Sequence, residues 1–537
     1  MALQISPKDT DLLLKQKNVL SRDVIDKYSY AGQITQTCLK YIISLINDSY
    51  HLNKHEKYSP AELCLLGDSY MQTLINQNFK KIEEKGIAQP VTLDINNILS
   101  GYSPELNDIN NSYLQVGDIV TINLGCHIDG YTSNLAHTIV IYPNISNGSP
   151  GPLLGESSDA IIASYLATEA VITLLACSLT PEKIPNELIE NGNKVVTGSM
   201  IRKLVNSIAQ SYNCIVVPTS KVRRIRRFLA GQAEGVVAER DFKGVVWSEQ
   251  DQEDELIKRA SSGNGSTELT IIDSINGRKK LKENDIDNTI PSDEFIVKTG
   301  EVYSIDIKMS PINKEELGIV TLNVLNSELK PSIFIRDVSI SEQLKLRNSR
   351  KLLSLVDKKQ SVYPFKLSYI SENFPIKGED LNNELNNIEK DVKTFKFGVG
   401  ECINKQLFVN KAILSTKFIP LREILKTCTS TGINGYDASK ASLPGLELPL
   451  PKLGVTSLKM KTLMKKSLDI NVIREMSTIA LSEDNGCIRL SGGKEFGVSY
   501  VHSEYELNED VSNIIKQLSA LREDERFGIK VVECGVL

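Results

Sequence analysis

The sequence predicts an α/β (α+β) fold built from two related halves. Near the N-terminus, apolar residues recur at helical spacing. Further on, a turn glycine and an acid open a β-rich run twice, at Gly117 and again at Gly300. The chain has 537 residues, of which 41% are hydrophobic and 24% charged, which is ordinary for a packed soluble protein.

The first helix is expected from Ser21 to about Ile46. Val24, Tyr28, Ala31, Ile34, Cys38, Ile42 and Leu45 fall on one face, Ser21 is a candidate N-cap, and Asp23 lies in the first turn. A second helix runs from Pro60 to about Phe79. A strand follows in Gly117-Asp118-Ile119-Val120-Thr121-Ile122-Asn123-Leu124-Gly125. The most apolar helix candidate, Ala163 to Leu179, carries Glu169 and stops before Pro181. Gly300-Glu301-Val302-Tyr303-Ser304-Ile305-Asp306-Ile307-Lys308 repeats the first strand's pattern, with a polar side chain again at the seventh position. Turn chemistry alone puts Gly-acid before many strands, so the repeat read by itself leaves two related halves and unrelated turns both open. Two stretches read as insertions. Residues 241–295 are polar and acid-rich around Ser261-Ser262-Gly263-Asn264-Gly265-Ser266-Thr267. Residues 412–465 include Leu448-Pro449-Leu450-Pro451, which prolines hold extended, either wrapped on its own domain or docked on a partner.

Composition excludes several classes. No run of 18 uncharged apolar residues occurs, so no membrane partner is expected, and the N-terminal residues lack a basic-then-apolar secretory pattern. Nine scattered cysteines without a C-x-x-C pair fit reduced thiols of cytosol or nucleus. Net charge is −5, so nucleic-acid contact requires a local patch. The densest is Lys221-Val222-Arg223-Arg224-Ile225-Arg226-Arg227, five cations in seven residues, with Ile225 and Phe228 as core anchors and guanidinium groups expected to face outward toward phosphates. The plain alternative is a solvated charged face. That alternative is preferred for Lys452, Lys459, Lys461, Lys465 and Lys466. His51 and His55 have i, i+4 spacing, but Leu52 replaces the glutamate of an H-E-x-x-H zinc motif. His127 and His137 read as packing or hydrogen-bonded residues. Phosphate-loop, dinucleotide and serine-hydrolase motifs do not occur.

Several segments together resemble the type 2 methionine aminopeptidases. They are Gly86-Ile87-Ala88-Gln89-Pro90 through Asn96-Asn97, the block from Gly117 to His137, and the Gly300 strand. Tyr363-Pro364-Phe365-Lys366-Leu367 and Phe397-Gly398-Val399-Gly400-Glu401-Cys402 are similar to the proliferation-associated, growth-factor-receptor-binding branch. The resemblance implies a pita-bread domain over residues 18–520, interrupted by the two insertions. In those enzymes two metals are held by two Asp, one His and two Glu, beside a catalytic His. Carried over, the Asp positions are Asn123 and Asn134, the His position is Gln232, and the Glu positions are Asp306 and Met476. The catalytic His falls on Gly101. Paired dications need anionic ligands, and Asn and Gln supply only neutral carbonyls. The expectation is therefore no cofactor and no catalysis. The alternative is a divergent metal-dependent aminopeptidase using Asp306 with Glu475, which strand alternation disfavours.

Within the fold, Pro218 to Arg240, Gly151-Pro152-Leu153-Leu154-Gly155 and Leu448 to Gly454 look like a fungal subgroup, the nuclear export factors of the large ribosomal subunit precursor. That likeness implies binding near the exit tunnel to ribosomal RNA and exit-tunnel proteins. It also implies contact with Phe-Gly nucleoporins, small adaptor and cytoplasmic release factors, and shuttling between nucleus and cytoplasm.

Overall fold

The computed structural model describes residues 16–108, 112–143, 151–189, 194–228, 244–253, 256, 293–312, 318–325, 329–360, 362–378, 380–421, 428–429, 432–433, 465–524 and 528–537. Helices α1 (Arg22–Ile46) and α2 (Pro60–Gln77) open the chain. Val24, Tyr28, Ala31, Ile34, Cys38 and Ile42 are all buried, as their spacing requires. Ser21 takes the N-cap position of α1, although its hydroxyl makes no cap bond. The firmer start signal is at α2. There the Ser59 hydroxyl accepts from the Glu62 amide at 3.3 Å, the Glu62 carboxylate accepts from the Ser59 amide at 2.7 Å, and Pro60 fills the first turn.

A ten-stranded sheet forms the centre. Its strands are β1 (Lys85–Ile95), β2 (Ile119–Ile128), β3 (Tyr131–Val140), β4 (Cys214–Val216), β5 (Lys221–Ile225), β6 (Gly244–Val246), β7 (Val302–Pro311), β8 (Ile473–Ser482), β9 (Gly486–Arg489) and β10 (Val531–Glu533). The main path runs β1-β2-β3-β8-β7-β5-β6, with β9 extending from β8, β10 from β9, and β4 from β7. Every pairing is antiparallel except β9 with β10.

The order is symmetric about the β3–β8 junction. On one side two helices precede three strands, with α1 packed on β2 and β3 and α2 on β1. On the other side α3 (Glu156–Ala176) packs on β7 and β8, and α4 (Gly198–Ser211) on β4 and β6. Gly117 (φ 95°) and Gly300 (φ 76°) occupy equivalent turns, left-handed conformations that favour glycine, two residues ahead of β2 and β7. The repeat read from the sequence is therefore the internal duplication of the pita-bread fold.

Ile122 and Leu124 join the core beneath α1, and Ile305, Ile307 and Ile479 join the core beneath α3 and α4. Strand alternation places Asn123, Asp306 and Met476 on the opposite face of the sheet. Helix α3 with the turn after it, Glu156–Leu179, is long and apolar enough to cross a membrane by composition. Yet 78% of its most apolar window is buried in the protein, the pattern of a core helix apolar all round. Glu169, its one central charge, forms ion pairs with Arg489 at 2.7 Å and with Arg522.

Two further layers complete the described residues. Strands Gly318–Val324, Leu414–Pro420, Ile98–Ser100 and Leu468–Asp469 form a small sheet. Helices α5 (Arg347–Lys359) and α6 (Leu381–Asn404) pack on strands Ile333–Arg336, Phe365–Lys366 and Phe408–Asn410. The final helix, α7 (Glu509–Glu523), lies against α3 and α4. Both stretches read as insertions begin inside the fold. Residues 244–246 are strand β6, followed by a buried Trp247 whose indole donates to Asn206 at 2.8 Å, and residues 414–420 pair with 318–324 in full register. Residues 257–292 and 434–464, including Leu448-Pro449-Leu450-Pro451, Lys452, Lys459 and Lys461, lie outside the described residues.

Candidate functional site

Register builds the site. Thr92, Asn123, Ala136, Met476, Asp306 and Lys221 lie in one row across β1, β2, β3, β8, β7 and β5. Asn123 and Asp306 are the seventh residues of the two repeats and so are equivalent about the symmetry axis. Three of the expected ligand positions, Asn123, Asp306 and Met476, are therefore brought together. Asn134 lies two pairs along, opposite Gly125, where a Cβ would stand 2.0 Å from its side-chain oxygen. Gln232 lies outside the described residues.

Asp306 is fully occupied by cations of its own chain. One carboxylate oxygen accepts from Arg474 Nε at 2.7 Å. The other accepts from Arg474 Nη2 at 3.1 Å and from Lys308 Nζ at 3.0 Å. Burial alone would raise its pKa, but Arg474, Lys308 and Lys221 outweigh that and hold the carboxyl far below its ordinary value. The cations bear the opposite strain. Burial pushes Lys308 down to about 8. Burial, with Arg223 and Lys308 beside it, pushes Lys221 down to about 7. Lys411, whose ammonium donates to Gln89 Oε1 at 2.7 Å, falls to about 8 through burial and Arg474. The second buried acid nearby, Asp94, is pushed up to about 6 by burial. Lys308, Lys411 and Arg474 were not singled out in the sequence. Strand alternation was the available signal: Lys308 lies two residues beyond Asp306, and Arg474 two before Met476, on the same face.

The remaining described positions offer no second carboxylate beside Asp306. Glu475 points to the other face, where one oxygen bonds His137 Nδ1 at 3.0 Å and accepts from the Thr138 amide at 3.2 Å. It cannot join Asp306. Gly101 has φ 94°, and a Cβ there would meet the carbonyl oxygen of Ala412 at 2.7 Å, so the catalytic His position admits no side chain without backbone movement. The side-chain oxygens of Asn123 and Asn134 are buried without a partner among the described residues, yet they are neutral. A dimetal centre does not fit these residues: one carboxylate is already neutralised twice, and the other donors carry no charge.

Two more histidines, His127 and His51, have structural partners. His127 stacks on Tyr363 with ring centroids 3.9 Å apart, and His51 bonds Asn47 Oδ1 at 2.8 Å while its Nε2 accepts from the Tyr142 amide. His55 is exposed, so His51 and His55 do not converge.

The basic segment 221–227 requires a correction: its cations do not face outward. Strand β5 is interior to the sheet, so Lys221 and Arg223 face the concave row. Arg224 and Arg226 both pair with Glu301, at 3.4 and 2.8 Å. Arg227 donates to the Asp129 carboxylate at 2.6 Å and lies over the Tyr131 and Phe228 rings. Ile225 is buried as expected, whereas Phe228 is only partly so. Exposed cations gather instead on α5 and its entry, at Lys345, Arg347, Arg350 and Lys351. Helix α6 closes on α5 at Gly398, where a Cβ would meet Asn348 at 3.0 Å, and the preceding Phe397 stands 75% exposed. The signal in the sequence was an amphipathic helix with Ser349, Leu352 and Val356 inward and its cations outward.

No family model matches the chain. It is 50% identical to a Candida albicans protein called probable metalloprotease ARX1, over 99% of this chain and 97% of that one. It is 45% identical to the Saccharomyces cerevisiae protein of the same name, over 99% and 96%. Proliferation-associated protein A of Dictyostelium discoideum is 26% identical over 83% of this chain and 90% of its own. A solved structure of a thermophilic Arx1 superposes with a TM-score of 0.55 at 18% identity, covering 93% of this chain and 98% of that one, which shows a shared fold.

Proposed function

The chain belongs to the Arx1 family, and from that premise we propose that it is a non-catalytic binding factor of the large ribosomal subunit precursor. In this reading it docks near the exit tunnel and promotes nuclear export through Phe-Gly nucleoporin contact. It then leaves in the cytoplasm with the help of adaptor and release factors, shuttling between the two compartments. One observation carries the non-catalytic part: Asp306, the one acidic ligand position among those described, is bound by Arg474 and Lys308. A peptidase needs a Lewis acid or an activated water there, and this geometry supplies cations of the chain instead.

The surface supports the binding part. Exposed Arg347, Arg350 and Lys351 offer phosphate contacts, and exposed Phe397 offers a face on which an unpaired base stacks. The test is sedimentation of tagged chain with precursor particles across a salt series. Replacing Arg347, Arg350 and Lys351 with glutamine shifts the chain toward the free fractions and lowers the log–log salt slope by about 0.7 to 0.9 for each phosphate no longer neutralised. Wild-type chain that stays in the free fractions overturns the role. The name of the curated relatives favours a second reading, a metal-dependent aminopeptidase. Stoichiometric metal in purified protein, with chelator-sensitive release of an N-terminal methionine, would establish it.

A further inference from the structure

The concave row is not merely a spoiled metal site, because its charge is reversed. Five cations, Lys221, Arg223, Lys308, Lys411 and Arg474, act there with two described carboxylates, Asp94 and Asp306. The acceptors are largely spent. Asp306 is saturated by Arg474 and Lys308, and Asp94 accepts from the Tyr102 amide at 3.0 Å and the Thr92 hydroxyl at 2.9 Å. Lys411 has a neutral partner, the Gln89 carbonyl. Arg223 Nε is buried without a partner among the described residues, and no described acceptor bonds Lys221. Uncompensated buried charge is costly, and a cluster of this kind is relieved by an anion from outside.

The cluster is also layered. Asp306, Lys308 and Arg474 form its fully buried floor, while Lys221, Arg223 and Lys411 remain partly exposed. Lys221 stands opposite Asp306 and Arg223 opposite Ser304 in the β5–β7 register, so the two side chains, two residues apart on one strand, share the concave face. We propose that Lys221 and Arg223 form an oxyanion site, which takes a phosphate or carboxylate group in the cleft where the fold's enzymes hold cations. An ammonium and a guanidinium fork side by side suit either group. The inference goes beyond the particle-binding role and stands whether or not α5 contacts RNA.

The test uses the full chain at fixed ionic strength, with sodium chloride as the balancing salt. Inorganic phosphate is titrated by calorimetry and by thermal melting. An acetylated tripeptide with a free C-terminal carboxylate is compared with its C-terminal amide, which separates a phosphate source from a peptide carboxylate source. Saturable binding of phosphate, or of the acid but not the amide, is expected. It should weaken roughly tenfold or more in Lys221→Gln/Arg223→Gln and stay unchanged in Arg347→Gln/Arg350→Gln. The unliganded double variant should melt no lower than wild type, since it sheds repulsion. If that variant does not fold, Arg223→Gln alone decides the matter by the same titration. Binding of neither probe at millimolar concentration, or equal binding in wild type and variant, overturns the proposal.

Discussion

Asp306 is 1% exposed, and its carboxylate accepts from three N–H groups of two cations. Removing one member of such a buried group leaves the others charged and unpaired. That costs more than the pair contributes relative to apolar residues of the same volume. Asp306→Asn should therefore lower stability by about 3–5 kcal/mol, read as a fall in the urea midpoint. The sign with pH follows from the direction of the shift. A carboxyl held below its ordinary value of 3.8 stabilises the fold above that pH, and the contribution is lost as pH falls below it. Wild type should thus lose stability below about pH 4 more steeply than Asp306→Asn. Parallel acid limbs would mean that Asp306 is not the charged partner of Arg474 and Lys308.

Strand β5 shows why a charge run misleads when its element is interior. With β7 on one side and β6 on the other, the strand has no free edge, and its alternating cations face the concave row or the helix side. The two arginines that share Glu301 are 10% and 14% exposed, which makes them structural. Arg224→Ala/Arg226→Ala should lower stability by about 1–3 kcal/mol, since Glu301 would be left buried and under-bonded. The salt slope of particle binding should stay at the wild-type value. A flattened slope with unchanged stability would return these residues to the RNA surface. Local signals were legible in the sequence. Helix α1 followed from a 3.6-residue period, and β2 and β7 from glycines whose turns need positive φ. Arg474 was not legible as a partner of Asp306, because that pairing depends on the register of β7 and β8, strands distant in the chain, whereas Lys308 lies two residues along the same strand and strand alternation already puts it on the same face. The depth of β5 was not legible either, because a five-residue cationic strand carries no apolar alternation by which burial could be read.

At the scale of the whole molecule, the two halves meet at β3 and β8, and the axis relates Asn123 to Asp306 and Thr92 to Lys221. Reading the ligand positions one by one identified the missing acids, but the gain of cations is a property of the assembled face. Only the folded sheet puts Lys308 and Arg474 on one carboxylate. The consequence is testable by trying to restore the ligands. Asn123→Asp, Asn134→Asp, Gln232→His and Met476→Glu together restore the ligand types of the metal enzymes. The new acids would nevertheless sit among Lys221, Arg223, Lys308, Lys411 and Arg474, which already supply the positive charge that two metals would bring. The fourfold variant should therefore retain no stoichiometric manganese or cobalt by elemental analysis after dialysis. Adding Lys308→Ala and Arg474→Ala should be needed before any metal is held. Peptide hydrolysis should stay absent even then, because Gly101 is packed against the Ala412 carbonyl and has no room for the catalytic imidazole. Stoichiometric metal in the fourfold variant would show that the cations yield to a dication, and that the cleft remains a metal site in all but four side chains.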